Sequence, residues 1–417
     1  MPHFHHATDH SYLSVRKNSF FLDWQTQPNA FKCYPHFYPR FSIEEYEELD
    51  ELHLIGAITY SKEYPSGNHL LRSVPSAGAL YPCEIYIQIR SIKGLLDGVY
   101  HYEPRSATLV LLHELNKDGV EYSFPHQTQQ KGLIFLVSTL YFRSAWKYRN
   151  RAIRYIFLDS GHQLGAISAY LELVQHDFSI GFDFDKLALN EAFGFRNDEL
   201  FTLSLSTHAP SDKMVTKLTQ KLPYVAGSDY LENNDFIQQA YTQSATYHDN
   251  PISCRFFEGV DREVLREAIV QRRSIRAFRM ESITQEAFEW IMHGIVAFAN
   301  AHDIDIFYTI HRIEGMEMGL YQNGVLVASG DFSQKSRYLS LEQNLGGQSA
   351  FTLYFTSHES QKYQKVTILS GFIAHILYLR ATIKGIGCSG IGAYYDEECK
   401  AFLKTRNNIL YLLAIGK

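Results

Sequence analysis

Three segments of this chain each occur twice, in the same order, and a duplication of that kind constrains the architecture before any motif is considered. Ser42-Ile43-Glu44-Glu45 has the capping-box form, with Tyr46, Leu49 and Leu52 following at helical spacing. Ser282-Ile283-Thr284-Gln285 uses the glutamine version, with Phe288, Ile291, Met292, Ile295 and Val296 on one face. The pattern predicts the same helix twice. Ile92 to Tyr100 then matches Ile313 to Tyr321 in both glycines and the tyrosine, and each is preceded by an apolar strand, Ile85 to Ile89 and Ile306 to Ile310. Asp159-Ser160-Gly161 and Leu369-Ser370-Gly371 are expected to open apolar helices ending near His176 and Lys384. Two domains of related design follow, 1–242 and 254–417, with the boundary in the polar stretch from Ser244 to Ser253.

The differences between the halves carry the chemistry. From the capping serine to the first matched glycine, the second half is 19 positions shorter, and what it lacks is the counterpart of Arg72-Ser73-Val74-Pro75-Ser76-Ala77-Gly78-Ala79-Leu80-Tyr81-Pro82. Before its own capping box it carries Arg272-Arg273-Ser274-Ile275-Arg276-Ala277-Phe278, where the first half has Pro28 to Tyr34 and keeps one cation, Lys32. It also has Gly385-Ile386-Gly387-Cys388-Ser389-Gly390-Ile391-Gly392, against Gln175 to Gly181 in the first half. Each half retains what the other has lost.

Arg272, Arg273 and Arg276 with Ser274 follow a helix expected to begin near Asp261 and to turn Val264, Leu265, Ala268 and Ile269 inward. Guanidinium forks and a hydroxyl suit phosphate oxygens. A basic helix end favourable for the macrodipole has the same composition. The loop Pro75-Ser76-Ala77-Gly78 combines a fixed φ, a hydroxyl and small side chains, so it is either a turn before the next strand or a backbone that lies close against a flat ligand. The glycines from Gly385 onward form either a tight helix-to-strand turn or a cradle for an aromatic ring system. Lys147-Tyr148 sits among Arg149, Arg151 and Arg154, as a surface pair on a basic helix or as a reactive pair.

In combination these segments resemble a known family. Arg-Arg-Ser-Ile-Arg-Ala-Phe is similar to the opening motif of FMN-dependent nitroreductases. Pro-Ser-Ala-Gly-Ala-Leu-Tyr-Pro, followed by a strand and Gly98-Val99-Tyr100-His101-Tyr102, resembles the SagB-type dehydrogenases, as do Trp146 to Tyr155 and the stretch from His5 to Tyr34. That branch includes enzymes that oxidise thiazolines and oxazolines in ribosomal peptides. The resemblance implies an α+β fold: two tandem nitroreductase-like domains, each an antiparallel-rich sheet flanked by helices, together forming a pseudo-dimer. It implies FMN, with Arg272, Arg273, Ser274 and Arg276 on its phosphate and ribityl chain and Lys417 adding charge. Pro75, Ser76, Ala77 and Gly78 would cover the isoalloxazine, with Gly385, Ile386 and Gly387 near its other side. Lys147 and Tyr148 would be catalytic, and a second, reciprocal flavin site would be vestigial.

Composition sets the limits. Hydrophobic residues are 45% of the chain, charged residues 20%, and the formal charge of −6 gives no general attraction to nucleic acid or an anionic membrane. Cys33, Cys83, Cys254, Cys388 and Cys399 are scattered and form no CxxC pair, which points away from a disulfide framework and towards a reducing compartment. No apolar signal core and no run of about 18 apolar residues is evident, so a soluble cytoplasmic protein is expected. His3, His5, His6 and His10 crowd the N-terminus without a carboxylate cluster beside them, and no metal is expected. The expected partner is a small-molecule or peptide substrate, with further homo-oligomerisation left open. Two other functions fit the same motifs: an NAD(P)H-dependent nitro or quinone reductase, and a non-catalytic scaffold or peptide-binding protein.

Overall fold

The computed structural model describes residues 2–17, 21–64, 67–208, 210–245, 248–359 and 361–417. Two compact units are present. One is Leu22–Gly259, and the other joins Met1–Phe21 to Val260–Lys417. This differs from a division at 1–242 and 254–417 at two places. The Asp396 amide donates to the His10 carbonyl and the His10 amide to the Asp396 carboxylate, which ties the N-terminal segment to the C-terminal unit. Ile252 pairs with Ile180, and the amides of Phe256 and Phe257 donate to the Glu172 carboxylate, so the chain stays in the first unit past the expected linker. Thr246 and Tyr247 of that linker lie outside the described residues.

The unit Leu22–Gly259 is built on a seven-stranded sheet. Its strands are β1 (Arg40–Ser42), β4 (Cys83–Arg90), β5 (Gly98–Glu103), β6 (Thr108–Glu114), β7 (Gly132–Leu140), β8 (Ser179–Gly181) and β9 (Glu199–Ser206). β2 (Ile58–Tyr64) and β3 (Gly67–Arg72) form a separate hairpin. Strand order is β1-β6-β5-β4-β7-β9-β8, with every pairing antiparallel. The other unit holds β10 (Asp305–Ile310), β11 (Gly319–Gln322), β12 (Val325–Ser329), β13 (Phe351–Ser357), β14 (Gly387–Ile391) and β15 (Asn408–Gly416), ordered β12-β11-β10-β13-β15-β14 and again antiparallel throughout. Apart from β1, the second order repeats the first strand for strand. The hairpin β2–β3 and the loop after it have no counterpart before β10, which is where the second half is shorter.

Each sheet packs against one long apolar helix, Ala152–Leu173 or Tyr363–Ile383. All residues of the first are buried, as expected of a helix that is apolar on every side. The second, with a mean hydropathy of 1.6 over its best window, is long and apolar enough to span a bilayer, contrary to the expectation that no such run exists; 89% of that window is buried inside the protein, which makes it a core helix. Neither helix opens at the matched Ser-Gly pair. Ser160-Gly161 and Ser370-Gly371 lie inside them, where a small residue lets the helix pack closely.

Local propensity was overridden in other places. The first capping box yields only successive 3-10 turns, Ile43–Glu45, Glu47–Leu49 and Leu52–Ile55, and the Ser42 side chain makes no cap bond. Ile43, Leu49 and Leu52 are instead each pulled into the core. In the second half the cap moves two residues on: Ile283 forms a bridge with Ile313, so Thr284 accepts from Ala287 and the helix Gln285–Met292 begins there. The helix after Asp261, Arg262–Gln271, buries Leu265, Ala268 and Ile269, but Val264 is exposed.

Candidate active site

The Pro75–Gly78 loop is held by a carboxyl group from the buried helix of its own unit. Ser76 Oγ donates to Asp159 Oδ2 at 2.6 Å and accepts from the Tyr81 amide at 2.9 Å, while the Ala77 amide donates to Asp159 Oδ1 at 3.3 Å. Burial pushes the Asp159 carboxyl up to about 7 against the opposing effect of these bonds. The loop is bent sharply: Gly78, Ala79 and Tyr81 all have positive φ, of 67°, 53° and 48°. Such backbone persists only where the surroundings enforce it. Arg143 does so at the far end, donating to the Tyr81 carbonyl at 2.8 Å and pairing with Glu84 at 2.7 Å. Burial alone would raise the Glu84 carboxyl, but Arg143, His101 and Arg72 outweigh it and hold that group at about 2.

Lys147 and Tyr148 end the helix Tyr141–Tyr148, and the chain breaks at Arg149 (φ 50°) before the next helix. The basic run is therefore no single helix, and Arg151 and Arg154 are buried. The break turns the pair towards the loop. A β-carbon on Gly78 would lie 2.7 Å from the Tyr148 hydroxyl and 3.3 Å from Lys147 Nζ. Lys147 is exposed and Tyr148 half-buried. Pro75, Ser76, Ala77, Gly78, Lys147 and Tyr148 thus gather at one place, with Asp159 beneath them. The sequence marked Asp159 only as part of a repeated helix; the available signal was an acid in the middle of a mostly apolar helix.

In the other unit the arginine segment runs along β14, the edge strand of its sheet. Ser274 bridges to Cys388, and the Ile275 amide donates to the Cys388 carbonyl at 3.1 Å. Tyr378, from the long helix, secures both segments: its hydroxyl lies 3.0 Å from Ser274 Oγ and accepts from the Gly390 amide at 2.6 Å. Gly387 has no room for a side chain, since a β-carbon there would sit 2.5 Å from Ile275 Cγ1 and 3.2 Å from the Gly416 carbonyl. The Met280 amide donates to the Lys417 carbonyl, bringing the chain's last residue alongside. Arg272, Arg273, Ser274, Arg276, Gly385, Ile386, Gly387 and Lys417 are thereby assembled at one sheet edge.

These residues differ in what they can offer a ligand. Arg273 Nη1 donates to the carbonyls of Val270 and Arg272, which makes it partly a helix cap. Arg272 is buried with its guanidinium 5.4 Å from the Tyr378 ring centre. Arg276 and Gly385 are exposed and Ser274 half-buried. Ile386 is buried, which leaves only its backbone for contact. The Cys388 thiol is buried and pushed well up by burial, so it is a small packing group. The exposed Arg276 guanidinium and the Ser274 hydroxyl form a donor set that fits a phosphate with a polyol chain, while the Gly385 and Ile386 amides donate to the carbonyls of Thr382 and Ala381. Lys32, the cation left in the first half, is spent elsewhere: it is buried, 2.6 Å from Glu199 and 2.8 Å from the Tyr86 hydroxyl.

Residues 269–417 match the model of the nitroreductase family. Over the whole chain the fold is similar to a crystal structure from Anabaena variabilis assigned as a nitroreductase, with a TM-score of 0.81 and 21% identity, covering 100% of this chain and 99% of that one. The fold is therefore α+β, two nitroreductase-like domains in tandem. Among curated proteins, one from Methanocaldococcus jannaschii assigned as a nitroreductase is 32% identical over 97 residues, 22% of this chain and 48% of that protein. The trifolitoxin-processing protein TfxB of Rhizobium leguminosarum bv. trifolii is 32% identical over 112 residues, 24% of this chain and 29% of that protein. The chain thus spans about half the length of the first and under a third of the second.

Proposed function

We propose that this protein is an FMN-dependent oxidoreductase of the SagB-type dehydrogenase branch, oxidising a small-molecule or peptide-derived substrate, with azoline-to-azole chemistry as the model reaction. The observation that carries this reading is the convergence of Lys147 and Tyr148 on the Gly78 loop. The loop, the pair and the buried carboxyl group are a chemical apparatus that a plain turn would not need. The partial match to a protein named for the processing of trifolitoxin supports the substrate class.

Bound FMN would supply the two-electron oxidant. Arg276 and Ser274 would hold its phosphate and ribityl chain, with Arg272, Arg273 and Lys417 adding positive charge and the Gly385–Gly387 backbone near the ring. Pro75 to Gly78 would cover the isoalloxazine, and the absence of a side chain at Gly78 lets Tyr148 and Lys147 close on the loop. Acting as its phenolate, which the neighbouring Lys147 ammonium stabilises, Tyr148 Oη would take the proton released as the substrate is oxidised. One flavin serves each chain, because the first half has committed Lys32 to Glu199 and the second half has no Pro-Ser loop.

Released flavin measured against chain concentration tests this directly. About one FMN per chain is expected, lost in Arg276→Ala, with Tyr148→Phe retaining flavin while turnover of a thiazoline peptide falls about 100-fold or more. Rapid bleaching by NADPH would move the assignment to a nitro or quinone reductase. No flavin even after reconstitution would move it to a non-catalytic scaffold.

A further inference from the structure

We infer that the segment His5 to Asp9, together with Asp396 and Glu397, forms a binding site for a divalent transition cation of the zinc type. In sequence the N-terminal histidines have only Asp9 beside them and no carboxylate cluster, which argued against a metal; the fold adds Asp396, 391 residues from His5, with Glu397 next to it. His5 is fully buried, its Nε2 lying 3.9 Å from Asp9 Oδ1 and 3.9 Å from Asp396 Oδ1. Asp396 is likewise fully buried. Those separations are too wide for hydrogen bonds. They are about 0.5 Å more than two ligands of one tetrahedral zinc require, roughly 3.4 Å from bonds of about 2.1 Å.

The orientation of the imidazole is fixed from behind. Tyr363 Oη lies 2.8 Å from His5 Nδ1, so the ring presents Nε2 to the two carboxylates. A partner on the remote nitrogen is how metal-binding histidines are aligned. Asp396 is aligned too, its Oδ2 accepting from the His10 amide at 2.8 Å while Oδ1 faces His5. Asp9 faces both ways, with Oδ1 towards His5 and Oδ2 3.1 Å from His6 Nδ1. His6, Asp9 and Glu397 thereby form an outer group continuous with the inner one, His5, Asp9 and Asp396. His6 is exposed, which leaves an entry path on that side. Imidazole nitrogen mixed with carboxylate oxygen suits zinc over magnesium or calcium, which take oxygen ligands. Bound there, the ion would clamp the N-terminal segment to the start of the helix Asp396–Leu403.

The full-length protein, stripped with EDTA and dialysed, is titrated with zinc sulfate against a chromophoric chelator, and its melting temperature is followed in parallel. One zinc ion per chain is expected, with a rise in melting temperature that EDTA reverses. His5→Gln and Asp396→Asn should each weaken binding more than tenfold, and Tyr363→Phe, which leaves all ligands in place, about tenfold. The inference is overturned if the folded wild-type protein binds no zinc tighter than about 10 µM, or if His5→Gln binds as tightly as wild type, which would assign the binding to surface histidines. Should the ligand variants not fold, cobalt added to wild type decides: visible d–d bands that Tyr363→Phe shifts support the site, and their absence overturns it.

Discussion

Ser76 Oγ donates to Asp159 Oδ2 across 2.6 Å, joining two residues 83 positions apart and fastening the Pro-Ser loop to the buried helix of its unit. The bond matters because the loop contains three residues at positive φ and would relax without an anchor.

The carboxyl group at the centre of that anchor makes stability depend on pH. Burial raises Asp159 to about 7 in the folded protein, whereas an unfolded aspartate titrates near 3.8. The folded state therefore retains a proton that the unfolded state releases, and this stabilisation, complete below about pH 4, is lost as pH rises to about 7. Asp159→Asn removes the dependence. Across that window wild type should lose up to ~4 kcal/mol relative to the variant, read from urea unfolding midpoints at each pH.

Gly78→Ala should impair function more than folding. The left-handed conformation costs a non-glycine residue about 1–2 kcal/mol, and the new methyl would press on the Tyr148 hydroxyl. Turnover is expected to fall at least tenfold with a melting temperature only a few degrees lower. Equal losses in both would show the loop to be purely structural.

Lys32→Met should be strongly destabilising, by about 3–5 kcal/mol. Glu199 would keep the hydroxyls of Tyr86 and Ser138 but lose its cation while fully buried. Adding Glu199→Gln should restore most of the loss, a comparison that chemical denaturation can make. Unchanged flavin content in the double variant would accord with Lys32 having left phosphate binding.

Gly387→Ala tests the packing of the other motif. The added carbon meets Ile275 and the Gly416 carbonyl, and overpacking of this kind costs about 1–3 kcal/mol. Weaker FMN binding is expected alongside, since Ile275 lies between Ser274 and Arg276; fluorescence titration of the stripped protein measures it.

Much was legible before any coordinates. The repeat at Gly94 and Gly315 announced two related halves, because a glycine-bounded turn between strands leaves a local signature; their common strand order came from the structure. Arg272 to Arg276 and Pro75 to Gly78 were legible as segments for the same reason. Helix starts were less so: Ser42 offered a capping box, but burial of Ile43, Leu49 and Leu52 is stronger than a single cap and broke the helix into turns. Asp159 was hidden because its role depends on a loop arriving from elsewhere.

By itself the sequence determined what is local or periodic: the duplication, the strands, the two motif loops, and the apolar helices that must be buried. Tertiary structure alone decided which polar groups meet. Lys32 found Glu199, Ser76 found Asp159, and His5 found Tyr363, each across a separation that no local pattern encodes. Burying a charge or a polar side chain requires a partner, and the partner is selected by where the whole chain places its helices and strands.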